Sequence, residues 1–145
     1  MAKRGKPKSI ASSELMWQIF SEYVAYTKSN PIKVKDWVGG QGKQVWRERE
    51  RPLTMEGFEL YVYEKGIAEG VEQYFSNRDG RYEDYVGICS FIRKQIRQDQ
   101  ICGGMAGIYN PSITQRLNGL TETQKTEQSG TLTIVYKDLD ANKSK

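Results

Sequence analysis

Apolar residues in this chain recur at intervals of three and four almost everywhere, and at intervals of two in only two stretches, Ile32 to Arg49 and Thr131 to Lys137. Such a chain must fold as packed helices carrying two separate β pieces. Leu15, Met16, Ile19, Phe20, Tyr23 and Val24 predict an amphipathic helix that Ser13 can cap and Asn30-Pro31 ends. From Ile32 the period changes. Ile32 and Val34 fall on one side and Lys33 and Lys35 on the other, followed by Trp37-Val38, a Gly39-Gly40-Gln41-Gly42 turn and the run Gln44 to Arg49. This pattern predicts a β-hairpin. Arg47, Glu48, Arg49, Glu50 and Arg51 alternate in sign, which suits a solvated edge strand guarded against aggregation as well as it suits contact with DNA.

Pro52 ends the second strand, and Thr54 can cap a helix carrying Met55, Phe58, Leu60, Tyr61 and Val62, with Lys65-Gly66 turning the chain. A second short helix is expected from Ala68, with Val71, Tyr74 and Phe75 inward and Glu69, Glu72 and Gln73 outward, closing near Asn77 to Gly80. Two short helices before a longer third have the order of a helix-turn-helix. The third helix should start near Tyr82 and place Tyr85, Cys89, Ile92 and Ile96 on one side, with Arg93, Lys94 and Arg97 on the other. Gly103-Gly104 is expected to interrupt it. Asn110-Pro111 then opens a last helix with Ile113 and Leu117 inward, which Asn118-Gly119 closes, so this half reads as a helical hairpin.

The β-branched, alternating run Thr131 to Lys137 predicts a strand that four helices separate from the hairpin. An isolated strand is unstable in water, so its expected partner is another copy of the chain, and closing such strands into an intersubunit barrel would leave no exposed edge. Leu132, Ile134 and Tyr136 would lie in that barrel. Tyr85, Ile92, Ile96, Ile113 and Leu117 are the inward apolar positions of the helices that precede it. The expected fold is thus mainly α with a β-hairpin and a C-terminal strand, divided as a flexible basic arm (1–13), a first helix, hairpin and helix-turn-helix (14–80), a helical hairpin (81–120), and a linker, strand and tail (121–145).

Self-association also fits the composition, since 145 residues with 37% hydrophobic content and a mean hydropathy of -0.71 supply little apolar surface for one large core. The net charge is only +4, but 11 of the 22 basic residues and 5 of the 18 acidic ones lie between Met1 and Leu53. A basic front half suits a polyphosphate partner, whose counterions are released when Lys and Arg replace them. Lys3, Arg4, Lys6 and Lys8 on the arm, with Gln73, Asn77, Arg78 and Arg81 around the second helix of the helix-turn-helix, are the candidate DNA-binding residues. Glu69 and Glu72 on the same surface would repel phosphate, so many weak copies linked in one assembly would have to supply the affinity.

Several chemistries are excluded or disfavoured by residue type. The chain has no histidine, so Ser and Cys nucleophiles lack their usual base, and Cys89 and Cys102 form neither a CxxC pair nor a zinc set. Both cysteines are expected to be buried, inert thiols. The Gly39 to Gln44 segment superficially suggests a phosphate loop, but Trp37 and Gln44 stand where that motif needs glycine and a hydroxyl, and the turn joins two strands. Asp79, Glu83 and Asp84 lie close enough in sequence to consider a Mg²⁺-dependent nuclease, although carboxylates in a first helical turn also favour the helix dipole. No cofactor or metal is expected. Without a run of about 20 apolar residues or a leader, the chain is expected to be soluble and cytosolic.

The ordered set of motifs resembles the small terminase subunits of tailed phages, in particular the DNA-packaging proteins of short-tailed enterobacterial phages. The resemblance is carried by Glu14-Leu15-Met16-Trp17 through Tyr23, Ser29-Asn30-Pro31 opening the hairpin, and Arg51-Pro52-Leu53-Thr54-Met55-Glu56-Gly57-Phe58 leading into the helix-turn-helix. Asn110-Pro111, Leu117-Asn118-Gly119-Leu120-Thr121-Glu122-Thr123-Gln124 and Thr126 to Ile134 complete it, so it spans about residues 14 to 137. It implies a non-enzymatic homo-oligomeric ring with residues 82–119 as its wall, which makes the helical hairpin (81–120) an oligomerisation core and places Tyr85, Ile92, Ile96, Ile113 and Leu117 on the oligomerisation surface. It also implies recognition of double-stranded viral DNA, and recruitment and regulation of a large terminase subunit holding the ATPase and nuclease, docked by the C-terminal segment. The implied location is the host cytoplasm, outside the mature virion. Some relatives end in a strongly basic tail, whereas Asp138 and Asp140 here dilute Lys137, Lys143 and Lys145, so either terminus could hold DNA. A dimeric helix-turn-helix transcription regulator is the alternative reading.

Overall fold

The computed structural model describes residues 6–120, in which five helices and a two-stranded hairpin follow one another along the chain. Helix α1 (Ser13–Ser29) leads to strands β1 (Ile32–Val38) and β2 (Lys43–Arg49), then α2 (Met55–Glu64), α3 (Glu72–Ser76), a 3₁₀ turn at Glu83–Tyr85, α4 (Val86–Met105) and α5 (Pro111–Leu117). The mainly helical architecture with one antiparallel hairpin is as expected. Thr131 to Lys137, with Leu132, Ile134 and Tyr136, lies outside the described residues, as do Lys3 and Arg4. Among the described residues no helix is long and apolar enough to cross a membrane.

Helix α1 is capped by Ser12, one residue ahead of the expected Ser13, with its hydroxyl accepting from the Leu15 N–H at 3.1 Å. Its apolar stripe buries Met16, Ile19, Phe20 and Tyr23 against Phe58, Tyr61 and Val62 of α2 and Cys89, Ile92 and Ile96 of α4. Phe20 and Phe58 meet edge to face with centroids 5.4 Å apart, a geometry that adds to the simple burial of the rings. Gly57 is what lets α1 and α2 approach. A Cβ there would stand 2.6 Å from the Tyr23 hydroxyl, which itself donates to the Thr54 carbonyl and accepts from the Thr54 N–H.

The arm is not free along its whole length. Ile10 is fully buried, its N–H donates to the Tyr74 hydroxyl at 2.9 Å, and its carbonyl accepts from the Tyr85 hydroxyl at 2.5 Å. The polar composition of residues 1–13, which predicts a flexible arm, hides this one apolar anchor. The expectation therefore needs correction over its described part, since Ile10 belongs to the core.

Helix α4 corrects a second expectation. It runs through Gly103-Gly104 without a break, and those glycines are buried because the following segment packs on them. A Cβ on Gly103 would run into the Tyr109 ring, and one on Gly104 would stand 2.8 Å from the Thr114 methyl. They are close-approach residues that seat α5 on α4. Asn110 caps α5 as expected, accepting from the Ile113 N–H at 3.1 Å, but the residue turned inward is Thr114. Ile113 and Leu117 are 57% and 66% exposed.

A polar clamp joins these pieces. Lys28 Nζ at the end of α1 donates to Asp99 Oδ1 of α4 at 2.7 Å, pairs with Glu50 at 2.8 Å and donates to the Tyr109 hydroxyl at 2.8 Å. Asp99 Oδ2 accepts from the Leu53 N–H at 2.9 Å. Buried Gln100 donates to the Leu53 carbonyl and accepts from Asn118, closing the same region from the other side. Every buried side-chain polar atom among the described residues has a partner, as a well-formed interior requires.

Candidate nucleic-acid interface

Lys6, Lys8, Gln73 and Arg81, four of the residues singled out for DNA, come from two stretches of chain far apart in sequence and line one open pocket of about 400 Å³. Its walls also include Ser9, Tyr63, Glu69, Tyr74 and Tyr82. The anchoring of Ile10 explains the meeting, because it lays the arm across Tyr74 and Tyr85 and leaves Lys8 over the rings of Tyr82 and Tyr85, at 5.4 and 5.1 Å. Arg81 donates to the Lys6 carbonyl and lies 5.6 Å from the Tyr82 ring centre. Three cations face one carboxylate, Glu69, so the pocket carries a positive balance suited to an anion.

The polar side chains are held in place. The Tyr82 hydroxyl donates to Gln73 Oε1 at 3.1 Å, which leaves the Gln73 amide NH₂ as the group to donate outward. Asn77 has a structural task. Its backbone adopts the left-handed conformation (φ 41°) that ends α3, and its Oδ1 accepts from the Tyr82 N–H at 2.7 Å. Arg78 lies outside the pocket on an exposed surface, 3.9 Å from Glu72. Tyr63, Tyr74 and Tyr82 were not selected from the sequence. The spacing of Tyr61 and Tyr63, two residues apart on α2 and so on different faces, was the available sign that Tyr63 faces outward.

The expected second helix of a helix-turn-helix is short. Helix α3 is a single turn from Glu72 to Ser76, and Ala68 to Val71 precede it as bends and irregular backbone. Gly66, at φ 67°, still provides the tight turn after α2.

Of the residues assigned to an oligomerisation surface, Tyr85, Ile92 and Ile96 are covered by their own chain at 2%, 0% and 5% exposure. The expectation is corrected for these three, since a helix face with apolar spacing can be satisfied within one subunit as well as between subunits. Ile113 and Leu117 do reach the surface. With Ile32, Val34 and Ile108 they line a predominantly apolar groove of about 410 Å³ between the hairpin base and α5.

The remaining chemistry is sparse. Among the described residues no three His, Cys, Asp or Glu side chains converge to hold a metal ion, so Asp79, Glu83 and Asp84 do not form a cluster. Cys89 is buried and its thiol is pushed up to about 11 by desolvation, against a smaller opposing pull from Arg93. Cys102 is exposed, contrary to expectation. No protein-family model matches the chain, and no curated protein is similar enough to match it.

Proposed function

We propose that this protein is a DNA-binding adaptor that acts as a homo-oligomer and carries no catalytic chemistry of its own. More particularly, we read it as the small terminase subunit of a tailed phage, which recognises viral double-stranded DNA and recruits and regulates a large ATPase and nuclease subunit. The observation that carries the DNA-binding part is the convergence of Lys6, Lys8, Gln73 and Arg81 on one cationic pocket beside the α2–α3 pair. An open pocket with three cations and an oriented amide is suited to phosphate oxygens, which position a protein on a duplex without reading its sequence. The exposed apolar groove at Ile113 and Leu117 supports self-assembly, because such surfaces in a polar chain are stabilised by an apolar partner. The ordered motifs from Glu14 to Ile134 support the particular family.

Native mass spectrometry of the purified chain, followed by duplex binding and a large-subunit ATPase assay, tests this reading. A closed oligomer that binds duplex DNA and stimulates the large subunit is expected. Neutralising Lys6, Lys8 and Arg81 together should weaken duplex binding and reduce the slope of log K against log salt by about 2.7. A stable monomer that leaves the large subunit unaffected would refute it. A dimer with a two-fold footprint and half-sites one helical turn apart would instead assign a transcription regulator.

A further inference from the structure

The β1–β2 hairpin has no buried residue on either face, and the pairing register puts its two tryptophans together on one of them. Lys35 pairs with Trp46 and Trp37 with Gln44, so Trp37 and Trp46 are diagonal neighbours on the face that also carries Lys33 and Lys35. They are 65% and 59% exposed, and Lys35 Nζ lies 5.3 Å from the Trp46 ring centre. On the opposite face Asp36 is occupied by Arg47 at 2.5 Å, which leaves Glu48 as the carboxylate on the tryptophan face. None of the residues lining the Lys6–Arg81 pocket comes from the hairpin.

We infer that this face of the hairpin is a binding platform for single-stranded nucleic acid, separate from the duplex-binding pocket. Two exposed indoles side by side offer flat apolar surfaces that a duplex cannot use, because its bases are already stacked on one another. Unpaired bases can stack on them, while Lys33 and Lys35 meet the phosphates that run between those bases. Bases would be accepted largely without regard to sequence, since every base has a flat face. The inference goes beyond the packaging reading, as it concerns a second nucleic-acid form at a second place.

The test uses the full chain carrying Trp17→Phe, so that indole fluorescence reports only Trp37 and Trp46, with a dT20 oligonucleotide as probe and a duplex of equal length as comparison. Saturable quenching by dT20 that exceeds quenching by the duplex is expected. Trp37→Ala and Trp46→Ala should each weaken dT20 binding, followed by anisotropy of a labelled oligonucleotide, by about tenfold. Replacing Lys33 and Lys35 by alanine should lower the salt slope by about 1.4. Since none of the four residues is buried, a circular dichroism melt matching the parent confirms that the fold is kept. Absence of quenching, equal quenching by duplex, or indoles already shielded by self-association before nucleic acid is added would each overturn the inference. Duplex binding through Lys6, Lys8 and Arg81 would be unaffected by any of these results.

Discussion

Replacing Asp99 by alanine should weaken the fold at the point where α1, the hairpin exit, α4 and the segment before α5 meet. The carboxylate is 17% exposed, receives Lys28 Nζ at 2.7 Å on one oxygen, and accepts the Leu53 N–H at 2.9 Å on the other. Hydrogen bonds to a charged group contribute roughly 1.5–3 kcal/mol each. The Lys28 part must be discounted, because Lys28 is 28% exposed and keeps Glu50 as a counterion at the surface. About 3 kcal/mol remains for Asp99→Ala, most of it from the Leu53 N–H left without an acceptor. Asp99→Asn keeps an acceptor for that N–H and should cost about half as much. For a chain of this size the two changes correspond to drops in Tm of roughly 10 and 5 °C. Far-UV circular dichroism melts, repeated as urea titrations, read both. If Asp99→Ala melts within about 2 °C of the parent, the clamp is ornamental; if the asparagine variant falls as far as alanine, the charge rather than the Leu53 bond is what matters.

Four further outcomes follow from particular contacts. Burial opposes the charge on Lys28, but hydrogen bonds to Asp99, Glu50 and Tyr109 outweigh it and raise its pKa above the ordinary lysine range. A raised folded pKa gives stability that is complete below the unfolded value of about 10.4 and is lost only above it, so the Lys28 contribution should be flat between roughly pH 6 and 9 in urea titrations. The Cys89 thiol, pushed up to about 11 by burial, stays neutral in the fold while the unfolded thiol ionises near about 8.5. The unfolded chain then binds fewer protons, so urea midpoints should fall from about pH 8.5 upward, and less steeply in Cys89→Ala. Ellman's reagent should label only Cys102 in the native protein and both thiols in denaturant, and two fast thiols would contradict the packing around Cys89. Gly103→Ala should cost about 2 kcal/mol or more by forcing Tyr109 aside, whereas Gly87→Ala, also in α4 but with open space around the added methyl, should stabilise by up to about 1 kcal/mol. Thermal melts that rank the two glycine variants in the opposite order would refute the account of the α4–α5 contact.

The helices and the hairpin were legible because their signals are local. Periods of three and four, the caps at Thr54 and Asn110, and the Gly39–Gly42 turn each act within a few residues. What could not be read depends on residues distant in sequence. Nothing near Ile10 indicates that Tyr74 and Tyr85 will enclose it, and nothing near Gly103-Gly104 distinguishes a break from a seat for Tyr109 and Thr114. Spacing likewise identified Tyr85, Ile92 and Ile96 as an apolar face but not what covers it, which proved to be their own chain. The candidate pocket was half legible. Charge and the helix-turn-helix pattern selected Lys6, Lys8, Gln73 and Arg81, but the tyrosines among which they sit and the structural use of Asn77 required the fold.

The grip on Ile10 is made by two tyrosine hydroxyls on main-chain atoms, and only its burial depends on which side chain stands there. Fastening and the lining of the pocket therefore fall to different atoms of one short segment. Lys6 to Ser9 can change identity without loosening the attachment, so the charge that lines the pocket is free to drift while the fold that presents it stays constant.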